Sequence, residues 1–285
     1  MPTSHHHIYD HAHCYDVAFG FRDVAAECDT LTALAARHGP PPNPVRAVLE
    51  LAAGPARHAR EFARRGAAAT ALDSAPSMCA YALACAGSDG VAIDAVCADM
   101  TNFQLGRQFD LAVLLMDSAS YLLDNDAVLR HLDCVAAHLR DGGIYVMEMS
   151  HPRDAFAVGR STNPQWTSES EGLRVDMAWG AEGDPFDPIA QIDDVTVTMA
   201  WSGPGGEGRL VERARQRRIT ANEFDALVRC GGQFDIVECL GSLAPPQPFS
   251  NDPAAWRMVP VLRKRAATVG LAADLAAGAA PAGAA

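Results

Sequence analysis

The run VLELAAG, Val48 to Gly54, followed by ALD at Ala71 to Asp73, constrains this chain more than any other feature. A short apolar stretch ends in an acid, a turn of small residues follows, and a helix-forming segment begins. A second apolar run then closes on an aspartate 19 positions after the glycine. As strand, turn, helix and strand, this spacing suits a nucleoside-bearing ligand laid across the carboxyl ends of parallel strands. The small turn admits close backbone approach, and the later carboxylate accepts from two ribose hydroxyls. An ordinary strand–turn–helix without a ligand is the competing reading.

The surrounding sequence repeats the pattern. Val24, Cys28, Leu31 and Ala35 recur at helical spacing in a helix from Arg22 that stops at Gly39, where Pro40, Pro41, Pro42 and Pro44 forbid continuation. Strands are predicted at 47–51, 68–72, 91–97, 109–116 and 144–149, with helices at 56–65, 76–86 and 126–139. Gly66 ends the first of these helices, and Gly142 with Gly143 ends the last. The stretch 109–116 is almost unbroken in its apolarity, as a strand buried on both faces requires. Five such units imply an α/β fold with a doubly wound, mostly parallel sheet.

After Met149 the pattern changes. Residues 173–180, 189–201 and 210–219 read as antiparallel strands between turn-rich segments. Thr220 and Glu223 form a capping-box pattern that starts a helix through Val228. Two last strands, 234–240 and 258–263, bring the main sheet to seven. The chain thus divides into a head segment with a helix covering the site (1–44), an α/β core (45–150), an inserted antiparallel β cap (151–219), a completion of the core (220–265) and a tail (266–285) whose Ala/Gly-rich composition reads as disordered. Residues 1–13 read as mobile; His5, His6, His7, His11 and His13 either bind metal or order over a ligand, and no second metal-ligand cluster supports the former.

Two cofactor classes use such a turn. The dinucleotide fingerprint G-x-G-x-x-G would place Ala52 first, Gly54 second and Arg57 third, and arginine fits poorly where a helix must hug its strand. The register E-x-[GA]-x-G-x-[GA] instead accommodates Glu50, Ala52, Gly54 and Ala56. In that register, with the acid at Asp73, the chain resembles the class I S-adenosylmethionine-dependent methyltransferases over roughly 45–150 and 220–265. The insert and the head motif YDVAFGFRD (Tyr15 to Asp23) resemble the small-molecule members, of the glycine and aminosugar N-methyltransferase kind.

The resemblance implies a Rossmann-like fold and S-adenosylmethionine as cofactor. It sets Glu50, Ala52, Ala53 and Gly54 beneath the methionine part, Asp73 on the ribose, and Ser74 and Met78 beside the adenine. Asp99 would accept from the adenine amino group while Met100 donates its N–H, and Tyr15 and Met116 complete the set. The motif MDSASYL, Met116 to Leu122, stands where cofactor and acceptor meet. Taken alone, Asp99 also reads as a turn former and the methionines as core. Arg22 reads equally as a partner of the methionine carboxylate or as a surface charge at a helix start.

Composition narrows the function. Net charge is −12, and Lys264 is the only lysine among 23 basic residues, so phosphate backbones are repelled and no nucleic-acid partner is expected. Eight cysteines contain no C-x-x-C pair and read as core residues of a reducing compartment. No apolar run approaches the roughly 20 residues that span a membrane, and the amino terminus lacks the plan of a secretory signal. The expectation is a cytoplasmic enzyme acting on a small molecule, away from membranes, with a homo-oligomer left open.

Methyl transfer from a sulfonium is an in-line displacement, in which the protein aligns the nucleophile and excludes water. Candidates at the carboxyl ends of the fourth and fifth strands are Asp117, Ser118 and Tyr121, then His151 and Arg153. Histidine is the side chain whose ordinary range suits proton transfer at neutral pH, so His151 is the leading base, with a backbone-bonded turn histidine as its alternative. Asp117 and Tyr121 are the other catalytic candidates. Arg153, Arg174, Trp166 and Trp179 suggest an acceptor with a carboxylate and a developing positive charge. An amino-acid-like or natural-product acceptor fits, methylated at nitrogen, thioether sulfur or oxygen, and no catalytic metal site is evident. A nicotinamide-dependent oxidoreductase and a non-catalytic S-adenosylmethionine-binding protein are the rival readings.

Overall fold

Five parallel strands carry the core of the computed structural model, which describes residues 7–41, 44–155 and 164–266. They are β1 (Ala47–Leu51), β2 (Ala68–Asp73), β3 (Asp94–Cys97), β4 (Phe109–Leu114) and β5 (Leu139–Met147). Their side chains alternate between two buried faces. Leu49, Leu51, Ala112, Leu114, Tyr145 and Met147 point to one cluster, and Val48, Leu111, Val113, Ile144 and Val146 to another. Each face needs a helical layer, and the apolar stripes provide it. Val128, Leu132 and Val135 of α5 (Asn125–His138), with Phe224 and Leu227 of α6 (Ala221–Gly231), cover the first face. Cys28, Leu31 and Leu34 of α2 (Val24–His38), with Phe62 of α3 (Arg57–Arg64), cover the second.

The sheet runs β3-β2-β1-β4-β5-β11-β10, where β10 is Phe234–Leu243 and β11 is Arg257–Lys264. Strand β11 runs antiparallel to both its neighbours, β5 and β10, and the short strands Met149–Ser150 and Pro246–Pro248 extend the sheet to nine among the described residues. The order reverses between β1 and β4, which makes their carboxyl ends the switch point where ligands of such sheets bind. Helix α4 (Pro76–Ser88) follows β2 with proline at its first turn, and α6 opens on the Thr220–Glu223 capping box.

The predicted seven-stranded, doubly wound α/β sheet is present, with local differences. Helix α5 ends at His138, and Gly142 and Gly143 lie inside β5 rather than ending the helix. Pairing with β4 shifts register there, and a Cβ on Gly143 would stand 2.8 Å from the Arg140 carbonyl oxygen. The glycines therefore permit a bulge. The cap is a sheet of β6 (Gln165–Ser170), β7 (Leu173–Trp179), β8 (Ile192–Gly203) and β9 (Gly206–Arg217) in the order β9-β8-β7-β6, with the two-residue strand Phe186–Asp187 beside β8. Strand β6 escapes an apolar-run search because QWTSES is polar, and Ile189 lies in a turn where the Asp187 carboxylate accepts from the Ile189 and Ala190 N–H groups.

The head segment differs most from expectation. His7–His11 forms one 3-10 turn, and α1 (Ala12–Ala18) follows it. Cys14, Val17 and Ala18 pack on Val175, Met177, Val197 and Met199 of the cap, while Ala12 packs on Ala75 and Met78 of the core. The head is thus pinned between cap and core. His11 stacks on Trp201 and the His13 ring bonds Tyr81, so these two histidines are spent separately. His5, His6 and the tail from 267 lie outside the described residues. Among the described residues, no helix is long and apolar enough to cross a membrane.

Candidate active site

Strand β1 delivers Glu50 and then the turn. Ala52 takes φ +46°, Gly54 +51° and Ala56 +55°, a left-handed run in which two of three residues are not glycine. Three hydrogen bonds hold it. The Ala53 N–H donates to the Leu72 carbonyl (3.0 Å), the Gly54 N–H to Asp73 Oδ2 (2.7 Å) and the Ala59 N–H of α3 to Glu50 Oε2 (2.6 Å). Asp73 Oδ1 accepts from the Ala75 N–H at 2.8 Å. The carboxylate one strand over is thus bonded directly to the turn. Burial raises the Asp73 pKa, against the opposing pull of those N–H groups.

The donor set fits a ribose bearing two hydroxyls. Each Asp73 oxygen spends one bond on the backbone and retains acceptor capacity. A Cβ built on Gly54 would come 3.8 Å from Tyr15 Cε1, so glycine leaves that space open. Met78 is fully buried beneath Ala12 and Ala75, while Ser74 is exposed beside them. Asp99 accepts from both the Thr101 N–H and hydroxyl (2.7 Å each), which makes it a turn former here. Behind that turn, His131 Nδ1 donates to the Met100 carbonyl (2.8 Å) while Nε2 accepts from the Tyr145 hydroxyl. Burial lowers the His131 pKa to about 4, so the ring is neutral and fixed. No motif flagged His131, although its place on the apolar face of a predicted helix was readable.

Beside the turn opens a cavity of about 810 Å³. Tyr9, Tyr15 and Phe19 of the head form one wall, Trp166 and Trp179 of the cap another. Tyr15 stands between cavity and turn and borders both. Met116, Asp117, Ser118 and Tyr121 close the floor at the end of β4. Met116 and Asp117 are again left-handed, at φ +56° and +61°. Glu148, after β5, holds them: its Oε2 accepts from the Met116 N–H (2.9 Å) and its carbonyl from the Asp117 N–H (3.0 Å). The Asp117 carboxylate accepts from the Ser150 N–H (2.7 Å) and hydroxyl (2.5 Å), and burial raises its pKa against Arg257 and those bonds. The Tyr9 and Tyr121 hydroxyls lie 2.9 Å apart.

Several sequence candidates are placed differently from expectation. His151 borders the cavity but both nitrogens are occupied: Nδ1 accepts from the Arg153 N–H and Nε (3.1 and 2.9 Å), so Nε2 carries the hydrogen toward the Ser250 carbonyl (3.1 Å). Its lone pair is taken, as the turn-histidine alternative required. Arg153 staples this turn to the carbonyls of Asp252 and Ala255 and does not line the cavity. Arg174 lies exposed on the cap, paired with Asp176, and does not line the cavity either. Arg22 is neither surface charge nor open anion site: it is buried and bonded to Glu27 and Glu148 at 2.7 to 3.1 Å. Tyr9 and Phe19 were missed, yet Tyr9, Ala12, Tyr15 and Phe19 recur at three- and four-residue spacing beneath the histidines.

Comparison with known proteins accords with this geometry. Residues 48–143 match the family described as methyltransferase domain. The dTDP-3-amino-3,4,6-trideoxy-alpha-D-glucopyranose N,N-dimethyltransferase of Streptomyces venezuelae is 28% identical over 154 residues, which span 53% of this chain and 61% of that protein. A S-adenosylmethionine-dependent methyltransferase from Clostridium acetobutylicum shares the fold at a TM-score of 0.72 and 17% identity, over 90% of this chain and 98% of that one. Streptomyces venezuelae DesVI does so at 0.71 and 21%, with the same coverage. Residues 48–143 therefore match a methyltransferase domain, and the chain around them has the fold of the methyltransferase structures it resembles.

Proposed function

We propose that this chain transfers the methyl group of S-adenosylmethionine to an amine nitrogen of a small acceptor, with amino sugars the favoured class. The observation that carries the reading is the Asp73 carboxylate clasping the Gly54 and Ala75 N–H groups at the switch point, beside an aromatic-walled cavity. The choice of nitrogen and of a sugar leans on the relative named as an amino-sugar N,N-dimethyltransferase. The matched family lends no support to a nicotinamide-dependent oxidoreductase.

The bound cofactor supplies an activated methyl group and a neutral thioether leaving group. Asp73 would hold the ribose of the bound cofactor and the turn at Ala52–Gly54 would carry its methionine part, while Tyr15 stands over that turn. An amine enters as an ammonium ion and must shed a proton to expose its lone pair. Asp117 suits that step: it borders the cavity, and its raised pKa brings it closer to a proton-accepting range. His151, with its lone pair engaged by Arg153, serves as a strut instead. Tyr121, Tyr15, Trp166 and Trp179 offer π faces to the cationic nitrogen. Ser118 donates to the Leu115 carbonyl and shapes the floor beside the acceptor.

Single-turnover transfer from methyl-labelled S-adenosylmethionine tests this against a panel of amino sugars, amino acids, phenols and thioethers. Label on the nitrogen of an amino sugar is expected. Label confined to oxygen or sulfur refutes the nitrogen assignment, and absence of adenosylhomocysteine binding refutes the cofactor.

A further inference from the structure

Between the cofactor turn and the head segment runs a chain of buried charges that the proposed reaction leaves unused. Arg22 bonds Glu27 and Glu148, and Glu27 Oε2 lies 2.7 Å from His58 Nε2. His58 Nδ1 in turn lies 3.3 Å from Glu50 Oε1. Glu27, Glu50, His58 and Glu148 are each 5% exposed or less. A carboxylate only accepts, so an imidazole nitrogen facing one must carry a hydrogen. Both His58 nitrogens face carboxylates, which makes the ring an imidazolium. Burial pulls its pKa down, but the bonds to Glu27 and Glu50 outweigh this and push it up to about 9.

The charges around the ring come from every neighbouring element. Glu27 and Cys28 lie on α2, Glu50 ends β1, and Arg22 precedes α2. Burial pushes the Cys28 thiol up, so it stays neutral. Glu27, Glu50 and Glu148 then face Arg22, His58 and Arg257, a balanced set that loss of the ring proton would leave one charge short. Each contact also ties one part of the site to another. Glu50 fixes α3 below the turn, Glu27 ties α2 to α3, and Glu148 holds the floor at Met116.

We propose that His58 is a positioning residue whose ring, set between the Glu27 and Glu50 carboxylates, ties α2 of the head segment to the end of β1 and so holds the turn at Gly54. The proposal rests on that turn being the cofactor site. The folded pKa lies above the ordinary value of 6.5, so the clamp is complete below that pH and is lost as pH rises through about 9.

Nuclear magnetic resonance of the cofactor-free protein reads the ring directly. Both His58 nitrogens are expected to be protonated at neutral pH, with titration near 9; titration near 6.5 overturns the proposal. Calorimetry with adenosylhomocysteine then reads its consequence. Wild-type affinity is expected to fall about tenfold as pH rises through that range, while His58→Gln starts about tenfold weaker and shows a flat profile. The variant should raise KM for the cofactor more than it lowers kcat. Should it fail to fold, Glu27→Gln removes one of the two carboxylates and must move the fall in affinity to lower pH. A variant with lower melting temperature but the wild-type pH profile overturns the proposal. Wild type that binds adenosylhomocysteine with no pH dependence sinks this proposal alone, whereas wild type that does not bind sinks the cofactor reading with it.

Discussion

Replacing Asp73 with asparagine tests the link between fold and cofactor most directly. The carboxylate makes two backbone bonds, at 2.7 Å from Gly54 and 2.8 Å from Ala75, and has capacity left for a ribose diol. A hydrogen bond to a charged acceptor contributes about 1.5–3 kcal/mol. Asparagine keeps one oxygen but turns its amide donors toward a backbone N–H or a hydroxyl. One diol bond and the charge assistance of the other are then lost, a change of roughly 2–4 kcal/mol in binding. That converts to a weakening of about 30- to 1,000-fold for adenosylhomocysteine by titration calorimetry. Asp73→Ala removes both diol bonds and also leaves the Gly54 and Ala75 N–H groups without this acceptor, so it should weaken binding further and destabilise the fold by about 2 kcal/mol or more. The asparagine variant therefore carries the test, with calorimetric melting as the check that it is folded. Affinity within about threefold of wild type in a folded Asp73→Asn protein would falsify the assignment of this carboxylate to the ribose.

Three other substitutions separate the parts of the site. Asp117→Asn should lower kcat by roughly a hundredfold or more for an amine acceptor. Its raised pKa also predicts a wild-type kcat/KM that falls as acid protonates the carboxylate, at a pH above the ordinary 3.8, and this limb should vanish in the variant. Arg174→Ala should leave kcat/KM within about twofold, because its partner Asp176 is an exposed surface residue and neither borders the cavity; a larger loss would return Arg174 to the acceptor site. Glu171 and Gly172, at φ +51° and +79°, form the two-residue turn between β6 and β7. Asparagine tolerates that conformation better than glutamate, so Glu171→Asn should raise stability by about 0.5–1 kcal/mol in denaturant unfolding, and a decrease would count against the turn assignment.

How much of the fold was legible follows from where the apolar signal lies. Stretches 47–51 and 109–116 are buried on both faces, and their continuous apolar runs mark them as interior parallel strands. The capping box at Thr220 was readable because its two side chains act within four residues. Strand β6 and helix α1 were not. QWTSES becomes a strand only through pairing with β7, and His7–Ala18 becomes helical only when the cap and α4 bury one of its faces. Both depend on partners distant in the chain, which local propensity does not report. Position in the sequence also misled for the cations. Arg22, Arg153 and Arg174 were near the right strand ends or on the right insert, but ion pairs and carbonyls hold each one away from the cavity or below its surface.

The two turns that meet at the site explain why a count of glycines undervalued it. Ala52, Ala56, Met116 and Asp117 all adopt left-handed backbone, at a cost of roughly 1–2 kcal/mol each for a residue other than glycine. Such conformations persist where the surroundings over-determine them. Here acids at or just beyond strand ends do so. Glu50 pins the first turn through α3, Asp73 grips it from the next strand, and Glu148 holds the second turn through both its carboxylate and its carbonyl. Asp73 and Glu148 bond backbone N–H groups of the turns themselves, and Glu50 bonds the helix that follows the first turn. The pattern to seek in a glycine-poor fingerprint is therefore the set of acids at the ends of the parallel strands, here residues 50, 73 and 148, since those carboxylates can impose the geometry that glycine would otherwise only permit.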